Sequence, residues 1–316
     1  MKGIVYKSTG SWYVVKAENK EFYSCRIKGK FRLKGIKNTN PIAVGDQVIF
    51  EKDETGDENT GIITKIEERK NYIIRKSVNL SKQSHIIAAN IDIVFLLITT
   101  KNPETTTVFI DRFLATAEAY HIKPVLLFHK IDMYAEEELN EIKYLAAIYR
   151  SVGYTCLGTS AKTEKNIAKV KELMIDKTCL FSGHSGVGKS TLINKIAPNL
   201  ELKTAEISDH HTSGKHTTTF AEMFDVEDNI RIIDTPGIKG FGLVNMEKEE
   251  ISKYFPEFLA LSKDCRFHNC LHLKEPGCAV KSALEEGKIF WSRYESYLQI
   301  IDSEDDTYRP DIHHQN

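Results

Sequence analysis

Residues 183–190 read Gly183-His184-Ser185-Gly186-Val187-Gly188-Lys189-Ser190, three glycines and a Lys-Ser pair at the spacing of a phosphate-binding P-loop. Glycines let successive backbone N–H groups turn toward an anion. Lys189 brings a point charge to the β and γ phosphates, and Ser190, with Thr191 beside it, places a hydroxyl near Mg²⁺ at the start of a helix. The apolar run Cys179-Leu180-Phe181 and the segment from Lys189 to Ile196 predict the strand and helix that such a loop must join. Farther on, Ile232-Ile233-Asp234-Thr235-Pro236-Gly237 ends a strand with a carboxylate; Asp234 is placed to hold Mg²⁺ through water and the Gly237 amide to face a γ-phosphate. Between them lies Ser213-Gly214-Lys215-His216-Thr217-Thr218-Thr219, too polar to be core. One of its three threonines can reach Mg²⁺ and the γ-phosphate as a switch. The same composition suits a solvated loop, and His210, His211 and His216 also suit a metal-binding tract.

A P-loop does not choose between GTP and ATP, so the base-reading residues decide. Phe128-His129-Lys130-Ile131-Asp132 follows the strand Pro124 to Phe128 and resembles the NKxD element of GTPases. In that element the Asp carboxylate accepts hydrogen bonds from guanine N1–H and the 2-amino group, while the Lys stem packs on the base. Adenine lacks that donor pair. His129 stands where the element has Asn and retains a ring N–H donor. Thr159-Ser160-Ala161-Lys162, after the next strand, resembles the SAK element whose backbone N–H contacts guanine O6. Both guanine-reading segments precede the P-loop, the reverse of the usual order. The order is that of a circular permutation, which a domain with neighbouring termini tolerates. It sends the chain directly from Gly237 into the C-terminal region.

Cys265, Cys270, His272 and Cys278 supply three thiolates and an imidazole, the donor set of a closed structural zinc site, with His268 as an alternative imidazole. A closed four-ligand site leaves no position for a reacting water, so its work is structural.

These motifs need elements to hold them. From Met1 to about Lys70, short β-like runs separated by turn residues predict a small five-stranded barrel of the OB type. Arg26, Lys28, Lys30, Arg32 and Lys34 make one part of it strongly positive, with Trp12, Tyr13, Phe22 and Phe31 near enough to suggest RNA contact. The middle alternates strands (Ile91–Thr99, Pro124–Phe128, Tyr154–Leu157, Thr178–Phe181, Asn229–Ile233) with helices (Val108–Tyr120, one ending near Tyr149, Lys189–Ile196), the rhythm of a parallel sheet. After Leu243, residues 247–261 and 279–301 read as helices around the cysteine cluster. The expected division is a barrel at 1–70, a permuted α/β GTPase domain at 71–243 and a helical zinc domain at 244–316. The formal net charge of −1 gives no global attraction to nucleic acid or membrane, and no apolar run predicts an export signal or a span. The expectation is a cytoplasmic monomer.

Nearly the whole chain thereby resembles the RsgA (YjeQ) family of small-ribosomal-subunit-dependent GTPases: barrel, permuted GTPase motifs and a Cys-x4-Cys-x-His-x5-Cys module occur in that family's order. The resemblance implies an OB-fold, a permuted P-loop GTPase domain and a helical zinc-binding domain. It also implies binding of GTP and GDP with Mg²⁺, and subunit-stimulated hydrolysis late in small-subunit assembly through contact with its rRNA. Thr218 falls on the family's switch threonine, a Mg²⁺ ligand together with Ser190, and His216 on its catalytic histidine. Independently, Ile238 occupies the place where many GTPases carry a water-orienting Gln and cannot orient water, so another polar group must. The alternative is an rRNA-binding module gated by nucleotide, with incidental turnover.

Overall fold

The structure is a computed structural model describing residues 1–27, 41–53, 58–76, 84–200, 221–227, 229–234 and 248–306. The first five strands, β1 (Lys2–Ser8), β2 (Tyr13–Ala17), β3 (Phe22–Ile27), β4 (Gln47–Lys52) and β5 (Thr60–Ile66), form the expected barrel. It closes through the antiparallel β1–β4 pair and a parallel β3–β5 pair. Alternate residues Val5, Tyr13, Val15, Tyr23, Cys25, Val48, Phe50 and Ile63 fill it. Tyr13 is therefore a core side chain and not a base-stacking one, whereas Trp12 and Phe22 lie about half exposed, at 45% and 48%. A hairpin of β6 (Tyr72–Lys76) and β7 (Ser84–Ala89) follows.

The nucleotide-binding region is built from β8 (Ile93–Ile98), α1 (Thr107–Ala119), β9 (Lys123–Phe128), α2 (Glu136–Ser151), β10 (Thr155–Gly158), α3 (Ile167–Met174), β11 (Lys177–Ser182), α4 (Lys189–Ile196), β12 (Glu222–Glu227) and β13 (Ile230–Asp234). Strand order is β10-β9-β8-β11-β13-β12, parallel except for β12. Every residue of β8 is buried because both faces of the sheet are covered: Val94, Leu96 and Ile98 enter one core, and Ile93, Phe95 and Leu97 the other. The expected strands and helices appear here with ends shifted by a residue or two.

β12 carries the sheet into the barrel. It pairs with β1 at Lys7↔Glu222, so barrel and GTPase strands form one sheet of eleven among the described residues. Side chains pin the seam: the Tyr6 hydroxyl donates to Asp225 Oδ1 at 2.6 Å, Lys16 Nζ lies 2.5 Å from Asp225 Oδ2, and Lys7 pairs with Glu222 at 3.0 Å.

The C-terminal region is helical, but both long helices read from sequence are broken. Residues 248–262 divide into α5 (Lys248–Ile251), a 3-10 turn and α6 (Pro256–Ser262), because Pro256 cannot donate in a helix interior and instead starts α6 at its first position. Residues 279–306 divide into α7 (Ala279–Glu285) and α8 (Trp291–Asp306) at Gly287, which sits at φ +70°. No described helix is long and apolar enough to cross a membrane.

Candidate nucleotide site and metal centre

Parallel strands deliver their following loops to one edge, the usual ligand edge of an open α/β sheet. The P-loop follows β11, the HKxD segment follows β9, Thr159–Lys162 follows β10, and Asp234 ends β13. The structure thus brings together His129, Lys130, Asp132, Ser160, Ala161, Lys162 and the loop from Gly183 to Thr191, with Asp234 beside Lys189. The threonine segment, including His216 and Thr218, and Gly237 lie outside the described residues.

Gly183, Gly186 and Gly188 all have left-handed φ values. A Cβ on Gly188 would stand 2.9 Å from His129 Cδ2, so glycine is needed there for approach as well as for conformation. Lys189 Nζ donates to Gly183 O at 3.3 Å; burial lowers its pKa, and the Asp234 carboxylate opposes that shift. Ser185 and Gly186 are exposed, as a loop that must meet a ligand requires.

The base-reading side is cross-braced. Asp132 sits in a 3-10 turn and accepts the Ser160 hydroxyl at 2.5 Å, an arrangement that leaves its second oxygen for an N–H donor. Lys130, at φ +59°, donates to Gly186 O of the P-loop at 2.8 Å and to Asn102 O at 2.9 Å. His129 is buried. Its Nδ1 lies 2.9 Å from Thr159 Oγ1 and its backbone N–H donates to Ile98 O, fixing it between β8 and β10. Burial, and secondarily the Lys130 charge, pushes its pKa down to about 4, so the ring is neutral at physiological pH. Two participants had no signal in the sequence: Asn102, which contributes only a carbonyl, and Phe109 on α1, whose ring lies 4.1 Å from that of His184.

At the metal centre, Cys265, Cys270, His272 and Cys278 place one ligand atom each within 4.8 Å of the others. The open choice of imidazole resolves to His272, whose Nδ1 is 3.3 Å from Cys278 Sγ and 3.7 Å from Cys265 Sγ, while His268 is exposed outside the group. Burial pushes the Cys270 thiol up to about 12; a divalent cation reverses that preference by stabilising thiolates. The donor set and its closeness fit a metal ion. The loop is held from outside as well: Glu275 accepts the Leu271 and Leu273 amides, and the Tyr294 and Tyr297 hydroxyls donate to the carbonyls of His272 and Leu271 at 2.7 and 2.6 Å.

On the barrel, Arg26 faces the Trp12 ring at 5.7 Å and pairs with Asp53, and Lys16 lies over Phe22 and Tyr6. Lys28, Lys30, Phe31, Arg32 and Lys34 are outside the described residues.

Comparison with known proteins agrees with this arrangement. The RsgA N-terminal domain family matches residues 2–63 and the RsgA GTPase family residues 66–244. A protein of Christiangramia forsetii named small ribosomal subunit biogenesis GTPase RsgA is 67% identical, covering 98% of this chain and 99% of its own length. One of the same name from Flavobacterium johnsoniae is 61% identical over 99% of this chain and 96% of its own. Among solved structures, YjeQ from Thermotoga maritima superposes with a TM-score of 0.77 at 36% identity, covering 98% of this chain and 99% of the other. YloQ, described as a circularly permuted GTPase, gives 0.75 at 27% identity, covering 98% and 96%.

Proposed function

Because this chain belongs to the RsgA family of circularly permuted GTPases that serve small ribosomal subunit biogenesis, we propose that it couples GTP hydrolysis to late maturation of that subunit as a cytoplasmic monomer, and that its work divides near residues 70 and 243 among barrel, GTPase and zinc domains. What carries the reading is the gathering of Asp132, Ser160, Lys189 and Asp234 on one sheet edge.

In this reading Asp132 takes guanine N1–H and the 2-amino group, Lys130 packs on the base, and the amides of Ser160, Ala161 and Lys162 face O6, with His129 bracing the turn. Amides of residues 183–191 and Lys189 hold the phosphates. Ser190 and Thr218 would ligate Mg²⁺, with Asp234 acting through water; the ion supplies charge neutralisation on the β and γ phosphates. The Gly237 amide faces the γ-phosphate. His216 orients the attacking water once the subunit has ordered its loop. Zinc on Cys265, Cys270, His272 and Cys278 is structural. Trp12, Phe22 and Arg26 form the described part of an rRNA-facing surface whose basic residues contact phosphate.

The test is GTP turnover titrated with purified small subunits, large subunits and neither. Stimulation by small subunits alone is expected, and His216→Ala should lose roughly 100-fold of the stimulated rate while still binding GTP. Turnover indifferent to both subunits would favour a nucleotide-gated binding module instead, and a fully active His216→Ala would move the water-orienting role elsewhere.

A further inference from the structure

Arg293 on α8 is 1% exposed, an unusual place for a guanidinium. It reaches Asp111 Oδ1 of α1 at 2.5 Å, forks onto Glu257 at 2.7 and 3.1 Å, and lies 4.6 Å from the centre of the Phe255 ring. Asp111, fully buried, also accepts the Tyr149 hydroxyl of α2 at 2.8 Å. One carboxylate is thus held by the C-terminal region from one side and by the nucleotide-binding region from the other. Such buried ion pairs add little net stability against an apolar replacement; their best-attested use is to fix registry.

α1 is where the registry matters. Ile110, Phe113, Leu114 and Ala117 pack in the core under the sheet, whereas Val108 and Ala115, flanking Asp111 at helical spacing, pack in the core of the C-terminal region. The helix is shared by two cores. Two residues before Asp111, Phe109 lays its ring on His184 of the P-loop at 4.1 Å, tilted by 35°. On α8, Tyr294 and Tyr297 hold the carbonyls of His272 and Leu271 in the metal loop.

We infer that Arg293 is a positioning residue for the P-loop: α8, registered by the metal loop through Tyr294 and Tyr297, grips α1 at Asp111, and α1 seats Phe109 against His184. The inference rests on the P-loop being the nucleotide site. It gives the metal centre a reach beyond its own module, and it makes nucleotide affinity depend on residues that never touch nucleotide.

The test uses the full chain. Affinity for a fluorescent GDP is measured for Arg293→Met, Phe109→Ala and the double variant, with metal content and thermal melting checked for each. Arg293→Met should weaken GDP about fivefold, as should Phe109→Ala, and the double variant should be no weaker than either, since both cut one path. Unchanged affinity in a folded, metal-loaded Arg293→Met, or losses that multiply in the double variant, would overturn the inference.

Should Arg293→Met fail to fold, the pair Tyr294→Phe/Tyr297→Phe removes only two hydroxyls. Amide hydrogen exchange then decides without nucleotide. In the wild type, chelation should speed exchange in 107–119 and 183–190, and the tyrosine pair should do so with metal in place. Exchange rising only around 264–280 would sink the idea. A wild type that binds no GDP but shows the exchange pattern would overturn the nucleotide reading and leave this coupling standing.

Discussion

His129 carries a free-energy cost that is paid in acid. Its folded pKa is held near 4 by burial, against about 6.5 in an unfolded chain. Between those values the unfolded state binds more protons, so the contribution of the neutral ring is fully present above pH 6.5 and is lost as pH falls through the window. From pH 7 to pH 5 this single site should remove about 2 kcal/mol of stability. His129→Asn should therefore lose about that much less than the wild type over the same interval, read from urea midpoints; equal losses would mean the ring is not held neutral. Asp132 belongs at this scale too. With one oxygen held by Ser160, replacing the carboxylate in Asp132→Asn should weaken GTP by about 2–3 kcal/mol while leaving ATP unchanged, as measured by equilibrium titration. A preference for GTP that survived intact would place base recognition on other groups.

Among the elements, the seam between β1 and β12 depends on few groups. Asp225→Ala removes the acceptor of the Tyr6 hydroxyl and the counter-charge of the Lys16 ammonium, both partly buried, and should cost about 1–2 kcal/mol by chemical denaturation. Tyr6→Phe should cost less, because Lys16 keeps its partner. If both variants matched the wild type, backbone pairing alone would hold the seam. This seam was not legible in the sequence: β12 reads Glu-Met-Phe-Asp-Val-Glu, half polar, and nothing local says that its partner lies more than two hundred residues earlier. β8 was legible because a short run of six apolar residues, half of them β-branched, suits a strand covered on both faces. The P-loop and the metal ligands were legible because their chemistry fixes spacing. Pro256 and Gly287 were visible in the sequence, but the apolar periodicity running through them outweighed the breaks they signal.

At the level of the whole molecule, Cys265, Cys270, His272 and Cys278 could hold a metal ion among the short helices of the C-terminal region. Structural zinc in comparable sites contributes about 10–16 kcal/mol, as much as the entire stability of a typical domain. Chelation should therefore produce a separate low-temperature unfolding transition in calorimetry, with loss of helical signal from α5 to α8, and zinc should restore it. An unchanged melting profile would show that packing of Val108 and Ala115 on α1 suffices without metal.

The barrel has one more consequence at this scale. β12 is the last strand of the nucleotide-binding sheet, and a bare last strand offers free N–H and C=O groups to any passing chain. The barrel meets it with a backbone pair at Glu222 and covers Asp225 with Tyr6 and Lys16. The N-terminal barrel thus covers part of an edge that would otherwise be open to pairing with another chain.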